Sequence, residues 1–236
     1  MLIWDSTIII VIPAVILAAI AQIMVRAAFN KWSRVEARSG YTGAQVSQIL
    51  LQQGAARLGS EGSGLMQVGI QPGEGLLSDH YNPLDRTLNL SPEVYSGSSI
   101  ASLAVAAHET GHAFQHATGY GPMWLRSILV PAATAGQLSW LLFVIGLFVH
   151  LPVIQNIAIW IFAAATLFTF VTLPVEFNAS KRALQMLEAG GYLNSDEVPQ
   201  AKQVLDAAAL TYVAATAVAL TQLLRLILLR NSRRRG

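Results

Sequence analysis

Ser98-Ser-Ile-Ala-Ser-Leu-Ala-Val-Ala-Ala-His108-Glu109-Thr110-Gly111-His112-Ala-Phe-Gln-His116 is the run on which the reading of this chain turns. Its alanines and the serine pair at its head predict one helix over 98–117, capped by Ser98 or Ser99. On a helix, residues four apart share a face one turn apart, so the imidazoles of His108 and His112 can grip one metal ion. Glu109 stands beside the first of them. It can take a proton from an attacking water without itself binding the metal. Two histidines and a glutamate base at this spacing make up the zinc hydrolase arrangement. A chance match is the plain alternative. Against it stand the mid-helix position and the small neighbours Ala106, Ala107, Gly111 and Ala113, which leave room for a metal and a substrate.

The rest of the composition says where such a site sits. Of 236 residues, 53% are hydrophobic and only 12% charged, against about 25% charged in a soluble domain. That is a membrane protein's composition. The chain contains no cysteine, which excludes disulfides and thiolate zinc sites, so any zinc must be held by His and carboxylate. A net charge of +2 suits membrane orientation and gives no footprint for nucleic acid.

Outward from the motif, apolar runs occupy 6–25, 128–149, 153–175 and 207–229. About 20 residues at 1.5 Å each cross a hydrocarbon core. Asp5 precedes the first run and Arg26, Lys31, Arg34 and Arg38 follow it. This charge order predicts a retained anchor rather than a cleaved signal peptide, with its far end in the cytoplasm. Pro131 falls in the first turn of the second run, and only His150-Leu-Pro152 separates the second from the third, which predicts a membrane hairpin. Arg225 interrupts the last run.

In the polar stretch, 41–54 has helical spacing with Gly54 as its stop. Leu65–Ile70 and Asp85–Leu90 read as two short strands, and the run Arg86–Leu90 can accept an extended substrate as an added strand. Gly190 and Gly191 end one later helix, and Ser195 caps the next.

A catalytic zinc site has three protein ligands and one open position, so a third ligand is missing from the motif. Glu176, at the end of the third run, is the strongest candidate. The hairpin returns the chain to the side it left, and a carboxylate beside a bilayer is costly unless paired or metal-bound. Pairing with Lys181 or Arg182 is the plain alternative. His116 lies eight residues from His108 and drifts about 80° around the helix. It can be a ligand, or it can pack beside the site or cap the helix. His80 reads as a loop histidine, able to act as ligand or oxyanion donor or simply to face solvent. His150 lies at the far end of the hairpin. Ser180, four residues after Glu176, can support a ligand from behind. Tyr212, beside Thr211, can offer a hydroxyl to an oxyanion.

Five separated stretches carry a resemblance: 106–117 around the motif, Leu77-Ser-Asp-His-Tyr-Asn-Pro83, Leu90-Ser-Pro-Glu-Val-Tyr95, Leu173-Pro-Val-Glu-Phe-Asn-Ala-Ser180 and Ala208-Ala-Leu-Thr-Tyr-Val-Ala214. Together they resemble the YugP-type neutral zinc metallopeptidases of bacterial membranes, over nearly the whole chain. A wider resemblance runs to the HtpX heat-shock protease and the CAAX prenyl proteases. It implies His108, His112 and Glu176 as ligands of one zinc ion and Glu109 as base. The HtpX pattern has Asp where Ser180 stands.

The expected fold class is a mainly α integral membrane protein. It has three to four hydrophobic helices and a small α+β zincin-like catalytic domain of the HExxH-plus-Glu (gluzincin) type. The expected order is a membrane helix at 6–28, the zinc protease domain at 29–127, the hairpin at 128–175, the third-ligand region at 176–206, and a last apolar helix with basic tail at 207–236. The expected activity is endopeptidase action on protein or peptide substrates at the lipid bilayer. A zinc amidase or deacylase and a non-catalytic membrane scaffold are the alternatives. The location implied is a bacterial plasma membrane, multi-pass.

Ten basic residues (Arg26, Lys31, Arg34, Arg38, Arg57, Arg86, Arg126, Lys181, Arg182, Lys202) share the catalytic side, against Arg225, Arg230, Arg233, Arg234 and Arg235 at the tail. The larger group places the catalytic side in the cytoplasm. The last segment then either crosses, carrying its arginines outward, or lies along the interface. Arg225 and the Thr211-Tyr212 pair favour the interface.

Overall fold

The computed structural model describes residues 6–75 and 78–233; Asp5, Arg234 and Arg235 fall outside them. After a 3₁₀ turn at Ser6–Ile10, the elements are α1 (Ile12–Trp32), α2 (Gly43–Leu58), β1 (Gly69–Pro72), β2 (His80–Asn82), β3 (Thr87–Leu90), α3 (Pro92–Tyr95), α4 (Ile100–Ala117), α5 (Gly121–Phe148), α6 (Pro152–Ala189) and α7 (Val198–Arg233). The chain divides into two compact units. One comprises Met1–Gln22, Trp124–Pro174 and Leu210–Gly236, the other Ile23–Met123 and Val175–Ala209.

The first unit carries the long apolar stretches. Helices α1, α5, α6 and α7 are each long and apolar enough to cross a membrane, and only 17–22% of each most apolar window is buried in protein. Leu138, Trp160 and Leu167 stand exposed along them. Such all-round apolar faces are those of helices that meet lipid. α5 begins seven residues before the predicted run, so Pro131 lies inside it and not in its first turn. α7 carries Arg225, which interrupts its apolar run, among packed residues of the first unit. Leu226 is buried with Phe143 and Ala158, and the Arg225 guanidinium lies over the Trp140 ring, 5.4 Å from its centroid. An aromatic face is one of the few apolar surfaces on which a cation is comfortable, so Arg225 is held within the unit.

The second unit is built on α4. Ser99 accepts the Ser102 N–H at its start, the N-cap its hydroxyl predicts. α2 opens with a capping box, Thr42 and Gln45 each bonding the other's backbone. It does not stop at Gly54. The helix runs to Leu58 and ends at Gly59, whose φ is +58°. Gly54 serves packing instead: a Cβ there would stand 2.1 Å from Phe114 Cζ of α4. Three apolar clusters bind α2, the end of α6 and the start of α7 around the motif helix α4. They centre on Val46, Leu103 and Leu187; on Leu51, Tyr81, Leu88 and Val175; and on Phe29, Leu90 and Val204. Each fully buried leucine contributes about 1.5–3 kcal/mol relative to exposure.

The sheet differs most from the prediction. Leu65–Gln67 belongs to a 3₁₀ stretch, Gly59–Gln67. Its Gly62 lies so close to α2 that a Cβ would meet Ala55 Cα at 2.9 Å. The first strand therefore starts only at Gly69. Asp85 and Arg86 belong to a turn. The Asp85 carboxylate accepts the Thr87 N–H, and Arg86 has φ +55°, so pairing begins at Thr87. The strand order is β1-β3-β2, β1 parallel and β2 antiparallel to β3. β3 is thus central, with both edges taken. It cannot receive the added substrate strand expected of Arg86–Leu90; β1 and β2 are the edges. His80 lies on β2 and not in a loop, a three-residue strand too short to show alternation.

α6 is one helix from Pro152 to Ala189, with Pro174 inside it at the cost of a backbone bond. The helix runs through the expected boundary at 175, beside which the two units divide, one ending at Pro174 and the other resuming at Val175. Gly190 and Gly191 follow its end as predicted, Gly191 with φ +67°, and Ser195 lies in the turn before α7.

Candidate metal centre

Two helices of the second unit make this site. α4 presents His108 and His112 one turn apart, their rings edge to face with centroids 4.8 Å apart. α6 presents Glu176. Its Oε2 lies 3.2 Å from His108 Nε2 and 3.6 Å from His112 Nε2. One ligand atom from each residue falls within 4.8 Å of the others. The side chains are 12%, 12% and 4% exposed, so the cluster is buried but not sealed.

The helices approach this closely because Gly111 sits between the histidines. A Cβ at Gly111 would meet the Ala179 carbonyl oxygen at 2.9 Å and its Cα at 3.3 Å, both backbone atoms that cannot move aside. From the far side, Thr110 Oγ1 meets Ser47 Oγ of α2 at 3.0 Å, holding α4's opposite face.

The donor set fits a zinc ion. Bonds of 2.0–2.1 Å in a tetrahedron place neighbouring ligand atoms roughly 3.3 Å apart, which the 3.2 and 3.6 Å separations bracket. Both imidazoles are also oriented for it. Ser180 Oγ lies 3.1 Å from His108 Nδ1, and Gln115 Oε1 lies 2.9 Å from His112 Nδ1. With Nδ1 engaged in each ring, Nε2 is the atom turned inward.

Glu109 is outside the ligand cluster. It is buried, and its Oε2 accepts the Tyr81 backbone N–H of β2 at 3.0 Å. β2 is itself anchored from behind. Asp79, in the turn before it, accepts the Ser91 N–H at 2.7 Å and the Ser91 hydroxyl at 3.0 Å. Burial nevertheless raises the Asp79 carboxyl above its ordinary range.

The remaining predicted residues are elsewhere. His116 is not in the cluster. Its Nδ1 meets Tyr81 Oη at 2.8 Å. Burial, with Arg86 nearby, lowers its pKa below the ordinary histidine value. Burial pushes the Tyr81 phenol up to about 12, so it meets His116 as a neutral hydroxyl. His80 Nδ1 lies 2.8 Å from the Ser78 carbonyl on the exposed side of β2. Tyr212 belongs to α7 in the first unit, and His150 to the α5–α6 turn with φ +59°. Sequence reading missed Gln115 and Tyr81. Gln115 stands beside the conspicuous His116, and its spacing of three from His112 was the available signal. Tyr81 acts through its backbone, which no side-chain pattern reveals.

Apolar helices of membrane length and a buried two-histidine, one-glutamate cluster are what the class of membrane-bound metallopeptidases combines. Within that class this chain belongs to the family described as "Putative neutral zinc metallopeptidase", which matches residues 7–231. It is 41% identical over 210 residues to a protein of Bacillus subtilis (strain 168) named "Putative membrane protease YugP", covering 89% of each chain. No solved structure matches it.

Proposed function

We propose that this protein is a multi-pass, zinc-dependent endopeptidase of the bacterial plasma membrane, with its catalytic residues facing the cytoplasm and membrane or misfolded proteins as substrates. The observation that carries the reading is the convergence of His108, His112 and Glu176 beside a buried, non-ligating Glu109. A zinc ion held by the three residues supplies Lewis acidity toward the scissile carbonyl and toward water. The residues do the rest. Glu109, fixed by the Tyr81 N–H, takes the proton of the attacking water and delivers it to the leaving amine. Ser180 and Gln115 hold the imidazoles in one tautomer. β2 is an edge strand whose Tyr81 N–H already points at Glu109, so we assign it the extended substrate in place of β3. The purified protein in detergent, loaded with one zinc per chain, is expected to cleave unfolded casein and to lose that activity to a chelator. Stoichiometric zinc without cleavage of casein or of itself would leave the scaffold reading standing.

The sidedness rests on the ten basic residues that share the catalytic side, and the buried end of α7 supports a full crossing that carries Arg230 and the tail outward. The absence of cysteine makes the test clean. Single cysteines at Ser60, His150 and Ser232 are introduced and intact cells are labelled with a membrane-impermeant thiol reagent. Positions 150 and 232 are expected to label and position 60 to stay protected. Labelling at 60 with protection at 150 would move the active site to the outer face.

A further inference from the structure

Gln115 is wholly buried and does more than orient one imidazole. Its Oε1 faces His112 Nδ1 at 2.9 Å. Its Nε2 reaches across to α6 and donates to the Val175 carbonyl at 2.7 Å and to Asn178 Oδ1 at 3.0 Å. Those two partners flank Glu176, one residue before it and two after. Asn178 is held in turn, because its Oδ1 also accepts Arg182 Nε at 2.8 Å. Two N–H donors on that oxygen define which way the Asn178 amide faces.

We infer that Gln115, Asn178 and Arg182 form a hydrogen-bonded clamp that sets the stand-off between the two ligand-bearing helices, making them positioning residues for the metal centre; this rests on the proposed ligand set. The argument is one of geometry and cost. A glutamine offers both a carbonyl and an NH₂, so a single side chain can turn a histidine on one helix and grip the other helix. A carboxylate in its place would orient His112 as well but would have no N–H for Val175 or Asn178. A buried amide that lost one of these partners would be left unsatisfied, which fixes the rotamer of the whole chain of contacts. Gly111 brings α4 and α6 into backbone contact, and the clamp sets their register two turns from the His108–Ser180 contact. His108 meets α6 directly through Ser180, and His112 is coupled through Gln115 to the same helix, at the residues either side of Glu176.

The test uses the full-length protein in detergent. Zinc affinity is measured by chelator competition, and ligand geometry by the absorption spectrum of the Co²⁺-substituted protein. Gln115→Met is expected to weaken zinc binding by about 10–100-fold, the usual cost of losing an outer partner of a ligand, and to shift the Co²⁺ bands. Gln115→Glu is expected to recover only part of the loss, since it restores the His112 contact and not the two donations to α6. Asn178→Leu and Arg182→Leu are expected to shift the same bands with smaller losses, in that order. Helix content by circular dichroism is the folding control. If Gln115→Glu matches the parent in affinity and spectrum, or if Asn178→Leu leaves both unchanged, the clamp is wrong while the metal site stands. If His112→Ala itself keeps full zinc affinity, the ligand set beneath it fails first.

Discussion

Glu109→Gln is expected to keep one zinc per chain and to lower hydrolysis by about 10²–10⁴-fold, the range a positioned proton-transfer group contributes. The substitution is nearly isosteric, and its amide oxygen can still accept the Tyr81 N–H that Glu109 Oε2 accepts at 3.0 Å. Shape, the β2 contact and the ligand cluster are therefore preserved while the base is removed. Metal analysis and the rate of casein cleavage on the same preparation decide the matter. Undiminished turnover in the glutamine variant would end the proposed mechanism, and lost zinc would mean that Glu109 is a ligand.

The second large effect is on the metal itself. Glu176→Ala removes the carboxylate oxygen that lies 3.2 and 3.6 Å from the two imidazoles. It is expected to strip zinc as completely as His108→Ala or His112→Ala, well beyond the roughly 10–100-fold that changes behind a ligand cost. Zinc content after dialysis against a weak chelator measures it, with circular dichroism as the folding control. Stoichiometric zinc in Glu176→Ala together with its loss in His116→Ala or His80→Ala would show that another residue completes the site.

The parts legible in the sequence were those written in side chains along one element. The four-residue spacing of His108 and His112, the Ser99 cap, the apolar runs and the double glycine at 190–191 all act through local rules, and each could be read directly. Glu176 was legible for a different reason. A charged group at the end of an apolar run has few stable fates, and the hairpin before it restricts where it can go. What escaped were features set by contacts between elements. Gly54 reads as a helix stop, yet its missing side chain makes room for Phe114 sixty residues away. The third apolar run reads as ending at 175, yet α6 runs on unbroken to Ala189. β2 has three residues, and its contribution to Glu109 is a backbone N–H, identical in every residue but proline. The chemistry of Gln115 is equally silent in a linear reading, because its value lies in touching two helices at once.

One continuous α6 has a consequence for the order in which the protein is made. Glu176 follows His108 by 68 residues, and the whole of α5 and the larger part of α6 lie between them. At a synthesis rate of about 5–20 residues per second, the third member of the set emerges roughly 3–14 seconds after the first. On the proposed ligand set, the nascent chain holds two histidines and a base but no completed zinc site throughout that interval. On the proposed function, a chain that stalls before the hairpin is finished is inert, so the capacity to cleave a peptide comes only with the second half of the fold.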